Sequence, residues 1–81
     1  MKIVWPDHPA IDRANSLVFD VKVDGIAVKV YITEEAEEER GLPVCKAFAE
    51  RRLRHRSIKG RLPQAIHVRA SDFSSKGSGR A

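Results

Sequence analysis

Between Leu17 and Ile32 the chain reads LVFDVKVDGIAVKVYI, a pattern that leaves little choice but two paired strands. Apolar residues fill every second position from Leu17 to Val23, Asp24-Gly25 interrupts, and Ile26, Val28, Val30 and Ile32 resume the alternation. That is the period of strands with one buried face. Asp-Gly tolerates positive φ at both central positions of a type I′ turn, whose twist suits the strands it joins. A two-residue loop also fixes the register. Val23 faces Ile26, Val21 faces Val28, Phe19 faces Val30 and Leu17 faces Ile32, while Asp20 meets Lys29 and Val18 meets Tyr31 on the other face. A slip of one residue would turn the branched side chains to water and pair the wrong charges.

The flanks are read against this hairpin. Lys2 to Trp5 suits a short edge strand, ended at Trp5-Pro6 because proline offers no ladder donor. PDHPAIDRANS, Pro6 to Ser16, reads as a surface loop with Ile11 plugged onto the core. After the hairpin, Thr33 stands as an N-cap before Glu34 and Glu35, and a short helix to Arg40 closes at Gly41 in the left-handed conformation. Pro43 opens a second helix that runs to about Ile58. Its Val44, Cys45, Phe48, Ala49 and Leu53 form a broad arc to lie on the hairpin, with Phe48 as anchor. Gly60 and Pro63 end that helix. QAIHVRA, Gln64 to Ala70, then alternates as a last strand with Ile66, Val68 and Ala70 on one side.

The expected fold class is α+β: a small antiparallel β-sheet built on the hairpin Leu17–Ile32, with one main helix, about Pro43–Ile58, on one face. Residues 1–73 form the single domain, and the Ser/Gly-rich 74–81 has nothing to bury and reads as a disordered tail. With 81 residues there is room for one core only, and a domain so small gains from self-association, so a homodimer is expected. The single Cys45 has no partner for an internal disulfide or a zinc site, which favours a reducing, cytoplasmic setting. The apolar run Ile3-Val4-Trp5 stops at Pro6, too short for a signal peptide, and no apolar segment nears the roughly 20 residues that span a bilayer.

WPD near the start, IDRANSLVF entering a strand, VDG at the turn and YITEEA opening a helix, followed by Phe48 and arginines, together resemble a family of short bacterial proteins, domain-of-unknown-function family 1488. The likeness spans roughly Ile3 to Phe73, and it implies a small α+β fold and a bacterial origin. It implies no activity, cofactor or catalytic residue. The chain differs from that family in the density of Glu34 to Glu39 and in RRLRHRSIK after Phe48.

Charge is the feature that most invites a functional reading. Arg51, Arg52, Arg54, Arg56, Lys59 and Arg61 put six positive charges into RRLRHRSIKGR with no acid, and removing them from the net of +4 leaves −2 for the rest. Such a cluster can neutralise phosphates, although at 100° per residue on a helix its arginines point in several directions. The competing account is structural: cations stabilise a helix C-terminus, Glu50 precedes Arg54 by one turn, and Glu34, Glu35, Glu37, Glu38 and Glu39 offer an acidic helix to complement the basic one. His8, His55 and His67 are not spaced as helical metal ligands, and His67 falls on the exposed side of its strand. Cys45 on an apolar helix face reads as a packed residue rather than a nucleophile. The glutamates read as a solvated face, and Trp5 and Tyr31 as core or edge aromatics with an exposed aromatic patch as the other option. The sequence therefore points first to a noncatalytic accessory or protein-interaction module without cofactor. Its partner is another protein or a second copy; the alternative is a nucleic-acid binder using Arg51–Arg61.

Overall fold

The computed structural model describes residues 1–57 and 62–74, with the side chains of Arg56, Ser57 and Ser74 left aside. The hairpin is its centre. Strand β3, Leu17–Val23, pairs antiparallel with β4, Ile26–Ile32, in the register the sequence dictates at all seven positions, including Asp20 with Lys29. Asp24 and Gly25 take φ of 52° and 84°, as a type I′ turn requires. The turn is also tied to the N-terminus: the Asp24 amide donates to the Lys2 carbonyl at 2.8 Å and the Lys2 amide to Asp24 Oδ1 at 2.8 Å.

The outer edge of β3 is covered twice. Strand β1, Ile3–Val4, lies along its C-terminal end, and β2, Ala10–Ile11, along its N-terminal end, both antiparallel. The Pro6–Ser16 loop of the sequence reading is therefore interrupted by a strand. Asp12 shapes the turn that follows: its Oδ1 accepts from the Ala14 and Ser16 amides, and Asn15 takes φ of 63°. Ile11 is not a plug; it is 67% exposed, because it pairs with Leu17 at the end of the sheet rather than folding under it.

On the other side of the hairpin, β4 is followed by α1, Glu34–Arg40, and α2, Leu42–Ser57, before β5, Ala65–Val68, pairs with β4 in parallel. The sheet thus reads β1-β3-β4-β5 with β2 beside β1 on β3, antiparallel except for its last pair. A crossover through helices is what a parallel neighbour needs. Thr33 caps α1 by accepting from the Ala36 amide at 3.2 Å, and Gly41 ends it, its amide bonded to the Glu37 carbonyl. Gly41 is not left-handed helical: φ 87° and ψ 154° put it in a region that belongs to glycine alone. That extended step turns the chain directly into α2, one residue earlier than Pro43. Ile58 and residues 75–81 lie outside the described residues, and Ala70 forms a turn into a last helical turn, α3, Ser71–Ser74, instead of continuing the strand.

The core lies between the helices and one face of the sheet. Phe19, Val21, Val23, Val28, Val30, Ile32, Ile66 and Val68 from the strands meet Ala36 of α1 and Cys45, Ala49 and Leu53 of α2, all buried. Cys45, Ala49 and Leu53 are spaced four apart, a narrow stripe along α2. The broad arc drawn from sequence is wider than the contact. Val44 is 46% exposed, and Phe48 is half-buried at the margin, its ring 5.0 Å from that of Phe73, so the anchor is Leu53. Trp5 closes the other margin, edge-on to Phe19 at 5.2 Å with its indole N–H donating to Glu50 Oε2 at 2.6 Å.

Candidate functional site

Of the six basic residues singled out in the sequence, Arg51, Arg52 and Arg54 have described side chains. Arg51 is exposed. Arg52 is half-buried, its guanidinium 5.5 Å from the centre of the Phe48 ring, and Arg54 lies 3.7 Å from Glu50 one turn earlier. The Arg56 side chain, Lys59 and Arg61 fall outside the described residues. Arg52 belongs to a row in which Arg40 covers Phe73 at 5.4 Å, Phe73 meets Phe48, and Arg52 covers Phe48, so two guanidinium groups flank an aromatic pair and seal that margin of the core. Lys46 does the same at the opposite margin, over Trp5 at 5.1 Å and Phe19 at 5.3 Å. Lys46 and Arg52 of α2 are thus engaged in packing.

Cys45 is fully buried, and its Sγ donates to the Ala36 carbonyl at 3.5 Å. Burial, aided by Glu37, pushes its thiol above the ordinary cysteine value. A thiol held protonated and out of contact with water is a packing residue. No cluster of three or more His, Cys, Asp or Glu suited to a metal occurs among the described residues. Their helices also include none long and apolar enough to cross a membrane.

Two surfaces remain distinctive. The first is α1, where Glu34, Glu35, Glu38 and Glu39 are exposed and, among the described residues, none forms an ion pair with the arginines of α2. The second is the face of the sheet opposite the helices, which no described element covers. Alternation brings Val4, Ala10, Val18, Asp20, Lys22, Ala27, Lys29, Tyr31, Ala65 and His67 to it. Asp20 is the one acid among those positions, and its Oδ1 takes Lys29 Nζ at 2.7 Å, which holds the lysine pKa above its usual value through that hydrogen bond and charge. Lys22 is exposed, and Arg69, next in the alternation beyond His67, is exposed as well. The surface is therefore basic.

Across this face runs a row, Val18 in β3, Tyr31 in β4 and His67 in β5. The Tyr31 and His67 rings are stacked, centres 4.8 Å apart and planes 9° from parallel. His67 is exposed as its strand position predicts, but its partner is not visible in the sequence, because the pairing of β4 with β5 sets it. Trp5 and Tyr31 form no common patch, since Trp5 packs on the helical side of the sheet. Compared with models of protein families, with curated proteins and with solved structures, the chain matches none.

Proposed function

We propose that this chain is a small noncatalytic accessory or protein-interaction module, working through its two opposed surfaces rather than through a cleft. What supports this reading is the separation of charge: an acidic helix in the helical layer and a basic, uncovered sheet face on the opposite side. Such a pairing of surfaces suits either a partner of matching charge or a second copy, and complementary fields speed encounter more than they tighten the complex. Cytoplasmic residence and kinship with family 1488 belong to the same reading. Size-exclusion chromatography with light scattering, at roughly 50 and 200 mM salt, tests it. A mass above the monomer at low salt that falls at high salt is expected. A strict monomer at both, with no ligand on either surface, would defeat the proposal.

Nucleic-acid contact is the second reading, and one observation favours it: Lys22, Lys29 and Arg69 lie exposed on the bare side of the sheet, beside a stacked aromatic pair.

A further inference from the structure

We infer that the bare sheet face binds single-stranded nucleic acid, one base stacking on His67 and the phosphates held by Lys22, Lys29 and Arg69. The inference rests on that face being a binding surface and adds the ligand. The Tyr31–His67 separation of 4.8 Å equals the spacing between neighbouring strands, so the two rings stand side by side across β4 and β5 as the first members of a stack. On its other side Tyr31 has Val18 of β3 as its antiparallel register partner. The far side of His67 looks past β5, the last strand in the order, with which no further described strand pairs, and His67 is exposed. A third planar ring entering there continues the stack.

Nucleobases are planar, and stacking on an aromatic ring is the contact by which proteins hold single strands with little regard to sequence. In a duplex those ring faces are already occupied by neighbouring bases. The cations are placed for the backbone: Arg69 lies just past β5, one row beyond His67, while Lys29 on β4 lies one row to the other side of the Tyr31–His67 row and Lys22 on β3 one row further, so the charges spread diagonally over about 20 Å along the strands at roughly 3.3 Å per residue. Among the described residues Lys22 and Arg69 have no carboxylate partner for their side chains, and Lys29 keeps donors beyond the one given to Asp20. An acidic peptide would meet the same charges but gain nothing from the ring stack, and that difference separates the two ligands.

Fluorescence anisotropy on the full chain with labelled single strands of about 8 nucleotides, DNA and RNA, against the same sequence as duplex, tests the inference. Single strands should bind at about 50 mM salt, weaken by 200 mM, and outcompete duplex. His67→Ala should weaken binding roughly ten-fold, and His67→Phe should restore it. Because His67 is exposed, both variants keep the fold, which far-ultraviolet circular dichroism verifies. Lys22→Ala and Arg69→Ala should lower affinity and flatten the salt dependence. The inference is overturned by no single-strand binding at low salt, by equal affinity for duplex, or by binding that ignores His67 and is lost in Arg51→Ala. It is overturned as well if a glutamate-rich peptide binds through Lys22 with no effect of His67→Ala. Salt-reversible self-association without oligonucleotide binding removes this ligand and leaves the interaction module intact; absence of both removes the two together.

Discussion

Leu53→Ala, set against Val44→Ala, measures which stripe of α2 holds the helix to the sheet. Leu53 is fully buried and Val44 is 46% exposed, although the two lie on one continuous apolar arc of the sequence. Truncating leucine to alanine removes about three carbons, or roughly 2.4 kcal/mol of transfer free energy at 0.8 per carbon. The space left behind raises the loss toward 3 to 5 kcal/mol when neighbours cannot collapse into it. Here the core neighbours are Ala49 and Cys45, one and two turns back, and rigid β-branched strand residues, so little collapse is expected. A chain of 81 residues has a total stability of roughly 4 to 12 kcal/mol. A loss of about 3 kcal/mol lowers the folded-to-unfolded ratio by roughly 100-fold. Urea unfolding followed by circular dichroism should show the midpoint falling by about 3 M for a slope near 1 kcal/mol/M. Val44→Ala should move it by roughly 0.5 kcal/mol or less. If Val44→Ala destabilises as much as Leu53→Ala, the helix is rotated relative to the sheet and the assignment of its buried stripe is wrong.

Gly41→Ala should destabilise by roughly 1 to 3 kcal/mol in thermal melts, through backbone conformation alone, because an added Cβ meets nothing nearer than Pro43 Cδ at 3.9 Å. A melt unchanged by this substitution would mean that the α1–α2 junction has relaxed out of its positive-φ geometry. Cys45 should resist thiol reagents in the folded protein and react only on unfolding. Its raised pKa carries a sign: the contribution is fully present below the unfolded value of about 8.5 and is lost as pH rises from there toward the folded value, so stability should fall on the alkaline side. Cys45→Ala should remove that alkaline slope. Glu50→Gln weakens the acceptor of the Trp5 indole, and because Trp5 is the sole tryptophan its emission reports the change directly; a loss near 1 kcal/mol in urea midpoint energy is expected.

The hairpin and α1 were legible in the sequence because each is specified by contacts close along the chain: an Asp-Gly turn with alternating flanks, and a Thr33 cap followed by acids. The direction of β5 was not, since a four-residue alternation reads the same whether its neighbour runs parallel or antiparallel. Strand β2 escaped for a related reason. Two residues between Pro9 and Asp12 carry no period, and only the pairing with Val18 and Leu17 makes them a strand. Phe48 was misplaced because helical spacing gives an arc of apolar positions, and only the sheet decides how much of that arc it can cover. The candidate site was the least legible part: the arginines stood out as a run, whereas Tyr31, His67, Lys22 and Arg69 are scattered over the chain and meet through strand order.

The divided cover on β3 also bears on how these molecules can grow. Two dipeptide strands parted by Pro6 and Pro9 make a ragged border on which another chain finds too few consecutive amides to zip against, whereas β5 ends the sheet with four residues in one line. Among the described residues β5 is thus the one continuous docking edge for hydrogen-bonded extension, and pairing through one such edge per unit closes at two copies.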